Sequence, residues 1–273
     1  NTETYAHFEP YNDRLDIYKT KSDFDFYRSE GIFSGDLLIR PSGLTGSGII
    51  TLDKAEVNAN LFTFNANWFG SKSASLEVFD NVRNLAFKAN DLKTHIDLKI
   101  REGVFYSNGS GSYVELPENQ YVSYIDNLRW RMDEEYITLG DEVASTQGSK
   151  FVSIHPQQDS LSFIAKAAFY SLKDYIINAS GVDSIEVADA IIYPDSGIVT
   201  VAKDAYIQTL YHSKIIADNL MRYHVFNNAT VDIESANSYR ASANYTYKDA
   251  LENEQQIFFK SISVDQDTIT IAK

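Results

Sequence analysis

Along the first half of the chain, apolar and polar residues alternate with the period of a strand that has one buried and one solvated face. From His95 to Arg101, Ile96, Leu98 and Ile100 point one way and Asp97, Lys99 and Arg101 the other. Glu102-Gly103 then offers a turn, and Val104-Phe105-Tyr106 returns beside it. Leu128, Trp130 and Met132 alternate with Arg129 and Arg131, Asp133-Glu134-Glu135 forms a polar turn, and Tyr136 to Leu139 make a second strand. Shorter alternations occur at Leu15 and Ile17, Phe24 and Phe26, Phe62 and Phe64, Leu76 and Val78, and Leu85 and Phe87. Turn chemistry separates them at Pro41-Ser42-Gly43, Gly46-Ser47-Gly48, Asn108-Gly109 and Gly111-Ser112. Many short strands at close spacing predict an all-β fold: a sandwich, a barrel or a solenoid.

The second half carries a candidate repeat. Ala167 with Phe169, Ala190 with Ile192 and Lys214 with Ile216 recur at steps of 23 and 24 residues, and Ala205 with Ile207 and Ala229 with Val231 interleave at 24. With turns such as Pro194-Asp195-Ser196-Gly197, this spacing predicts a parallel β-solenoid with rungs of about 24 residues. An α+β alternative stands beside it. Asp159 or Ser160 caps a helix over 159–177 whose stripe is Leu161, Ile164, Ala165, Ala168, Leu172, Tyr175 and Ile176. Residues 203–222, with Ala205, Leu210 and Ile215 less regular, allow a second helix, but strands are favoured there, whereas 159–177 stays open.

The polar stretch Gly140 to Lys150, with Ser145-Thr146-Gln147-Gly148-Ser149 at its centre and Pro156-Gln157-Gln158 beyond, reads as a linker. It divides a β-rich module, 1–140, from a solenoid-like module, 158–273; a long surface loop inside one continuous domain explains it as well.

Composition narrows the setting. In 273 residues there are 18 Tyr, 16 Phe and 2 Trp, flat side chains suited to pleated surfaces, and the 44% hydrophobic share supplies a real core. A net charge of −14 argues against nucleic acid and anionic membranes as partners. With no cysteine there is no disulfide, thiolate metal site or cysteine nucleophile. Cysteine avoidance suits an oxidising, extracytoplasmic place: the periplasm or the cell surface. No apolar run reaches the roughly 18 residues of a membrane span, and no signal peptide is evident. The chain starts at Asn1 and ends at Thr270-Ile271-Ala272-Lys273 within a strand pattern, which reads as a mature or excised piece.

No motif supplies an active site. Gly43-Leu44-Thr45-Gly46-Ser47-Gly48 has the wrong glycine order for a dinucleotide fingerprint, no P-loop lysine, and runs into the strand Ile49-Ile50-Thr51-Leu52. No nucleophile elbow occurs. His7, His95, His155, His212 and His224 are scattered; His212 and His224, 12 apart, make a poor zinc pair. The acidic groups Asp23 with Asp25, Asp265 with Asp267, and Asp183 with Glu186 and Asp189 lack a calcium-loop string and read as solvated faces. Trp68, Trp130, Tyr121, Tyr124 and Tyr136 are stacking platforms for sugars or core residues. Asn108, Asn178, Asn228 and Asn244 begin N-x-S/T strings, which carry no meaning in a bacterial chain. The reading is therefore: no catalytic residues, no metal, no cofactor.

The segment Ser184 to Tyr247, with Ile185-Glu186-Val187-Ala188-Asp189-Ala190, Tyr193-Pro194-Asp195-Ser196-Gly197 and Asn228-Ala229-Thr230-Val231, resembles β-solenoid-like modules of large uncharacterised envelope proteins of Bacteroidetes-type bacteria. Gly43 to Phe64 is similar to the stacked β-groove proteins that carry lipid across the periplasm. The first resemblance implies a non-catalytic structural or interaction module whose partner is an envelope protein or a glycan. The second implies a lipid carrier. A carbohydrate-binding or glycan-cleaving solenoid is a third possibility. Phe62, Phe64, Ile96, Leu98, Ile100 and Trp130 are the expected inward residues; a filled core favours the structural module, and a continuous apolar groove the carrier.

Overall fold

A computed structural model of the chain describes residues 4–19, 23–109, 112–140, 148–218 and 223–273. The fold is all-β: strands make up 65% and no helix reaches 7 residues. The chain forms two compact units: Asn1–Pro117 with Ile125–Thr138, and Glu118–Tyr124 with Leu139–Lys273.

In the first unit, Gly31–Arg40, Gly43–Thr51, Ala55–Phe64, Trp68–Phe79, Leu85–Asp97 and Glu102–Ser107 run as an antiparallel meander, each strand paired with the next. Asn127–Arg131 pairs with Glu102–Ser107, Val114–Leu116 with Leu85–Asp97, and the hairpin Thr4–Glu9/Arg14–Lys19 with Gly31–Arg40. An aromatic cluster fills its interior. Phe33 lies 5.2 Å from Phe64 and 6.1 Å from Phe62, ring centre to ring centre, and Phe62 lies 5.9 Å from Phe69.

Local chemistry explains where the period-two pattern breaks. In Ala55–Phe64 the buried positions are Ala55, Val57 and Ala59, then Phe62 and Phe64. The phase changes because the pairing shifts register between Gly46 and Gly48, a bulge that turns Leu61 outward. Gly46 and Gly48 thus sit inside a strand; of the expected glycine turns, the one at Pro41–Gly43 closes the hairpin and Gly46–Gly48 does not. The turn expected at Glu102-Gly103 falls earlier. The strand ends at Asp97, whose carboxylate accepts the backbone N–H groups of Lys99 and Ile100, and Asp97 pairs with Glu102. Ile100 lies in that turn, 65% exposed, while Phe62, Phe64, Ile96, Leu98 and Trp130 are buried as expected.

The second unit pairs Tyr121–Tyr124, Ser149–Ser153 and Ser162–Ala165, and separately Ala167–Ser171, Ile176–Ser180 and Val199–Val201. A further seven-stranded sheet runs Ile185–Val187, Ala190–Tyr193, Leu210–Ala217, His224–Ser235, Ser238–Lys248, Glu254–Val264 and Thr270–Ala272. Phe151 stacks on Phe163 at 5.4 Å, and Tyr121 lies 6.1 Å from Phe163. Buried Asn119 ties the interior together: its Nδ2 donates to the carbonyls of Tyr175 and Ala202 at 2.6 and 3.0 Å.

The parallel solenoid expected over 158–273 is not what pairs these strands. Among the described residues every pairing there is antiparallel, and Ile192 opposes Ile215 while Ile191 opposes Ile216. The 24-residue step between Ala190 and Lys214 reflects two neighbouring antiparallel strands, since Tyr193 pairs with Lys214. Hairpin turns reverse the chain where a solenoid would carry it round to the same end.

The helices near 159–177 and 203–222 are also absent. Asp159 and Ser160, the expected caps, have φ of 50° and 58°, and a helix N-cap needs extended backbone. Phe163 and Ala165 are buried while Ile164 is 53% exposed, a strand period. In the other segment Asp204 and Ala205 have φ of 55° and 58°, and Leu210–Ala217 is a strand; 219–222 lie outside the described residues. The linker falls partly on 141–147, also outside them, but Ser149–Ser153 is a strand and Gln158 is buried.

Candidate functional site

The second unit carries an open cleft of about 600 Å³. Its wall begins at the turn after Ser149–Ser153. Pro156 follows His155, the Gln158 N–H donates to the His155 carbonyl at 3.1 Å, and the Gln157 N–H donates to His155 Nδ1 at 3.1 Å. Gln158 turns inward. Its Nε2 donates to the Ala205 carbonyl at 2.7 Å, which fixes the orientation of the amide. Its buried Oε1 has no hydrogen-bond partner among the described residues.

The opposite wall comes from His224–Ser235 and Ser238–Lys248. Val231 and Ile233 are buried, so Asp232 and Glu234 project together from the other face of the strand. Arg240, directly opposite Asp232, forms an ion pair with Glu234. Asp232 accepts from the Thr209 hydroxyl, Glu234 from Ser238 at 2.9 Å, and Asp204 from Gln120 Nε2 at 3.1 Å. Tyr206, 56% exposed, adds an aromatic surface. Charged rim, exposed ring and buried amide suit binding of a polar, hydroxyl-bearing ligand.

The residues singled out in the sequence are placed mostly elsewhere. Of the five histidines only His155 lines the cleft. His212 Nδ1 lies 2.6 Å from Asn228 Oδ1, His224 is 3.5 Å from the Tyr245 hydroxyl, the His95 ring lies tilted against Trp68 at 4.7 Å, and His7 is 3.8 Å from Glu9. Among the described residues no three His, Cys, Asp or Glu side chains converge as metal ligands. Trp130 and Tyr121 are buried, which removes them as sugar platforms; Tyr124 is exposed. Asp25 accepts from Ser29, Asp189 from the Thr270 hydroxyl and backbone N–H, and Asp265 from the N–H groups of Asp267 and Ile269. These acids organise turns and strand ends. Asn108 spends its amide on Asp91 and the Lys72 carbonyl, and with Ser73 it holds the Asp91 carboxyl below its ordinary range.

Sequence reasoning missed Asp204, Tyr206, Asp232, Glu234 and Arg240. One signal was available: Val231-Asp232-Ile233-Glu234 alternates cleanly, placing two acids on one face. No protein-family model matches the chain, and no curated protein matches it.

Proposed function

We propose that the chain is a non-catalytic structural or interaction module of a bacterial envelope or surface protein, held outside the cytoplasm. The carrying observation is the filled interior. The positions at which a lipid groove would open, Phe62, Phe64, Phe69 and Ile96, are 0 to 7% exposed, and the rings of Phe64 and Phe69 both pack against Phe62. A carrier would leave these side chains lining a continuous apolar channel. The absence of cysteine supports an oxidising location. Native mass spectrometry with lipid extraction after mild purification tests the reading: the expected mass is that of the apo chain. A stoichiometric lipid would instead favour the periplasmic carrier.

The cleft favours a second reading, glycan binding or cleavage. Asp232 and Glu234 project two residues apart from one strand face into the cleft, which brings two carboxylates together as a glycosidase requires. Both are engaged by neighbours, which suits binding better than acid–base work. A panel of glycans, assayed for binding and turnover with D232A and E234A, separates these: turnover lost in both variants would establish a hydrolase.

A further inference from the structure

The seven-stranded sheet ends in an edge that is open along most of its length. Glu254–Val264 pairs on its inner side with Ser238–Lys248 from Lys248↔Glu254 to Arg240↔Ser263. On its outer side, Thr270–Ala272 covers only Ile262, Ser263 and Val264, and Lys273 bonds to Ser261. Among the described residues no strand pairs with the outer side of 254–260. The stretch is apolar for an edge: Phe258 is 58% exposed, and Ile257 and Phe259 are half-buried. Ile257 and Phe259 share a face with Tyr245 and Phe226, whose rings lie 6.1 and 5.8 Å from that of Phe259. An aromatic stripe thus runs across three strands and stops at the rim. Edges like this are templates for another strand.

We propose that this edge pairs antiparallel with the same edge of a second copy of the chain, about a two-fold axis at Ile257. The argument is self-complementarity. Glu254-Gln255-Gln256-Ile257-Phe258-Phe259-Lys260 contains two charges of opposite sign, each three residues from its centre. The register centred on Ile257 sets Glu254 of each copy against Lys260 of the other, Gln255 against Phe259, and Ile257 against itself. Glu254 already binds Lys248 at 2.8 Å, so each glutamate would lie between two lysines. The stripe of Phe226, Tyr245 and Phe259 would continue across the axis. A chain of net charge −14 repels its copy at long range, which makes the local opposite-charge match decisive for register. This goes beyond the proposed role and does not depend on which partner the module serves.

The cysteine-free chain permits a clean test by disulfide trapping. Residues facing each other across an antiparallel dyad have Cα atoms about 4.5–5.5 Å apart, within disulfide reach. Folded I257C, under mild oxidant, is expected to give a covalent dimer on non-reducing electrophoresis. K260C alone should not, because its two copies would stand six residues apart, roughly 20 Å. A mixture of E254C and K260C should cross-link to each other. In sedimentation equilibrium, K260E should weaken association of the otherwise native chain by about 10-fold, and E254K/K260E should restore it. Far-UV circular dichroism verifies folding of each variant. Monomeric parent chain, an I257C that stays monomeric while folded, K260C linking as readily as I257C, or no rescue by the double reversal would each overturn the proposal.

Discussion

Gly35 and Gly48 sit opposite each other on neighbouring strands, and the backbones are too close for a side chain on either. A Cβ on Gly35 would run into the Ser47 carbonyl oxygen and come within 2.9 Å of Gly48 Cα; one on Gly48 would strike the Ser34 carbonyl. Gly48 also has φ of 149°, which other residues rarely adopt. Here the obstacle is backbone, which cannot swing aside as a flexible side chain can. G35A is therefore expected to cost about 3 kcal/mol or more, read as a lower urea midpoint with an unchanged slope. A loss below about 0.5 kcal/mol would mean that the two strands separate easily and that the bulge beside them is soft.

Three hairpins of the protein are closed by one device. The carboxylates of Asp80, Asp249 and Asp265 each accept the backbone N–H two and four residues on, and each aspartate donates its own backbone N–H to the carbonyl of the fourth residue. The third residue after each aspartate is left-handed: Arg83 at φ 68°, Glu252 at 64° and Thr268 at 60°. This is the three-residue loop built on a type I turn and a bulge, whose left-handed position favours glycine. Thr268 is β-branched and the most strained of the three. T268G is expected to raise stability by up to about 1 kcal/mol, and D265A to lower it by about as much, both measured by thermal or urea unfolding. A destabilising T268G would show that the Thr268 hydroxyl contributes more than its backbone costs. Asp249 has its carboxyl held low by Asn253, side chain first and then backbone, and by the Leu251 N–H. That contribution is present above the ordinary carboxylate range and is lost as pH falls through the lowered value.

For the molecule as a whole, buried phenols set the alkaline limit. Burial pushes Tyr239 up to about 12, against an ordinary 10, with its hydrogen bond to Thr270 pulling the other way and nearby Asp189 adding to the rise. Burial likewise raises Tyr27, Tyr121 and Tyr170. A raised folded value favours the protonated phenol in the native state. The stability it represents is complete below pH 10 and is lost as pH rises from 10 through 12, on the order of 3 kcal/mol for Tyr239. Urea midpoints should be level from about pH 7 to 9 and fall steeply above about 10. The deficit of Y239F relative to the parent should shrink over the same rise. A deficit that stays constant to high pH would place the Tyr239 phenol in contact with solvent.

Much of this architecture is legible from alternation alone. Leu128-Arg129-Trp130-Arg131 and its returning partner, the tyrosine- and phenylalanine-rich composition, and turn chemistry at Pro41–Gly43 and Asp133–Glu135 carry the all-β fold, because a half-buried strand imposes its period locally. Period and spacing say which face is buried; they do not say which strand lies alongside. A step of 24 residues is equally compatible with a parallel rung and with two antiparallel neighbours, and only the pairing of Tyr193 with Lys214 decides between them. The apparent helical stripe over 159–177 had the same origin: Ile164 satisfies a helical period in the sequence, yet the chain leaves the left-handed Asp159-Ser160 pair as a strand, whose alternation sets Ile164 to solvent. The cleft was illegible for a further reason. Gln158, Tyr206 and the hairpin pair Asp232 and Arg240 are distant from one another in sequence, and each residue alone is an ordinary polar one. Tertiary contacts, such as those of Gln158 with Ala205 and Ala236, bring them around one cleft, and non-local contacts of that kind leave no local signature in a chain.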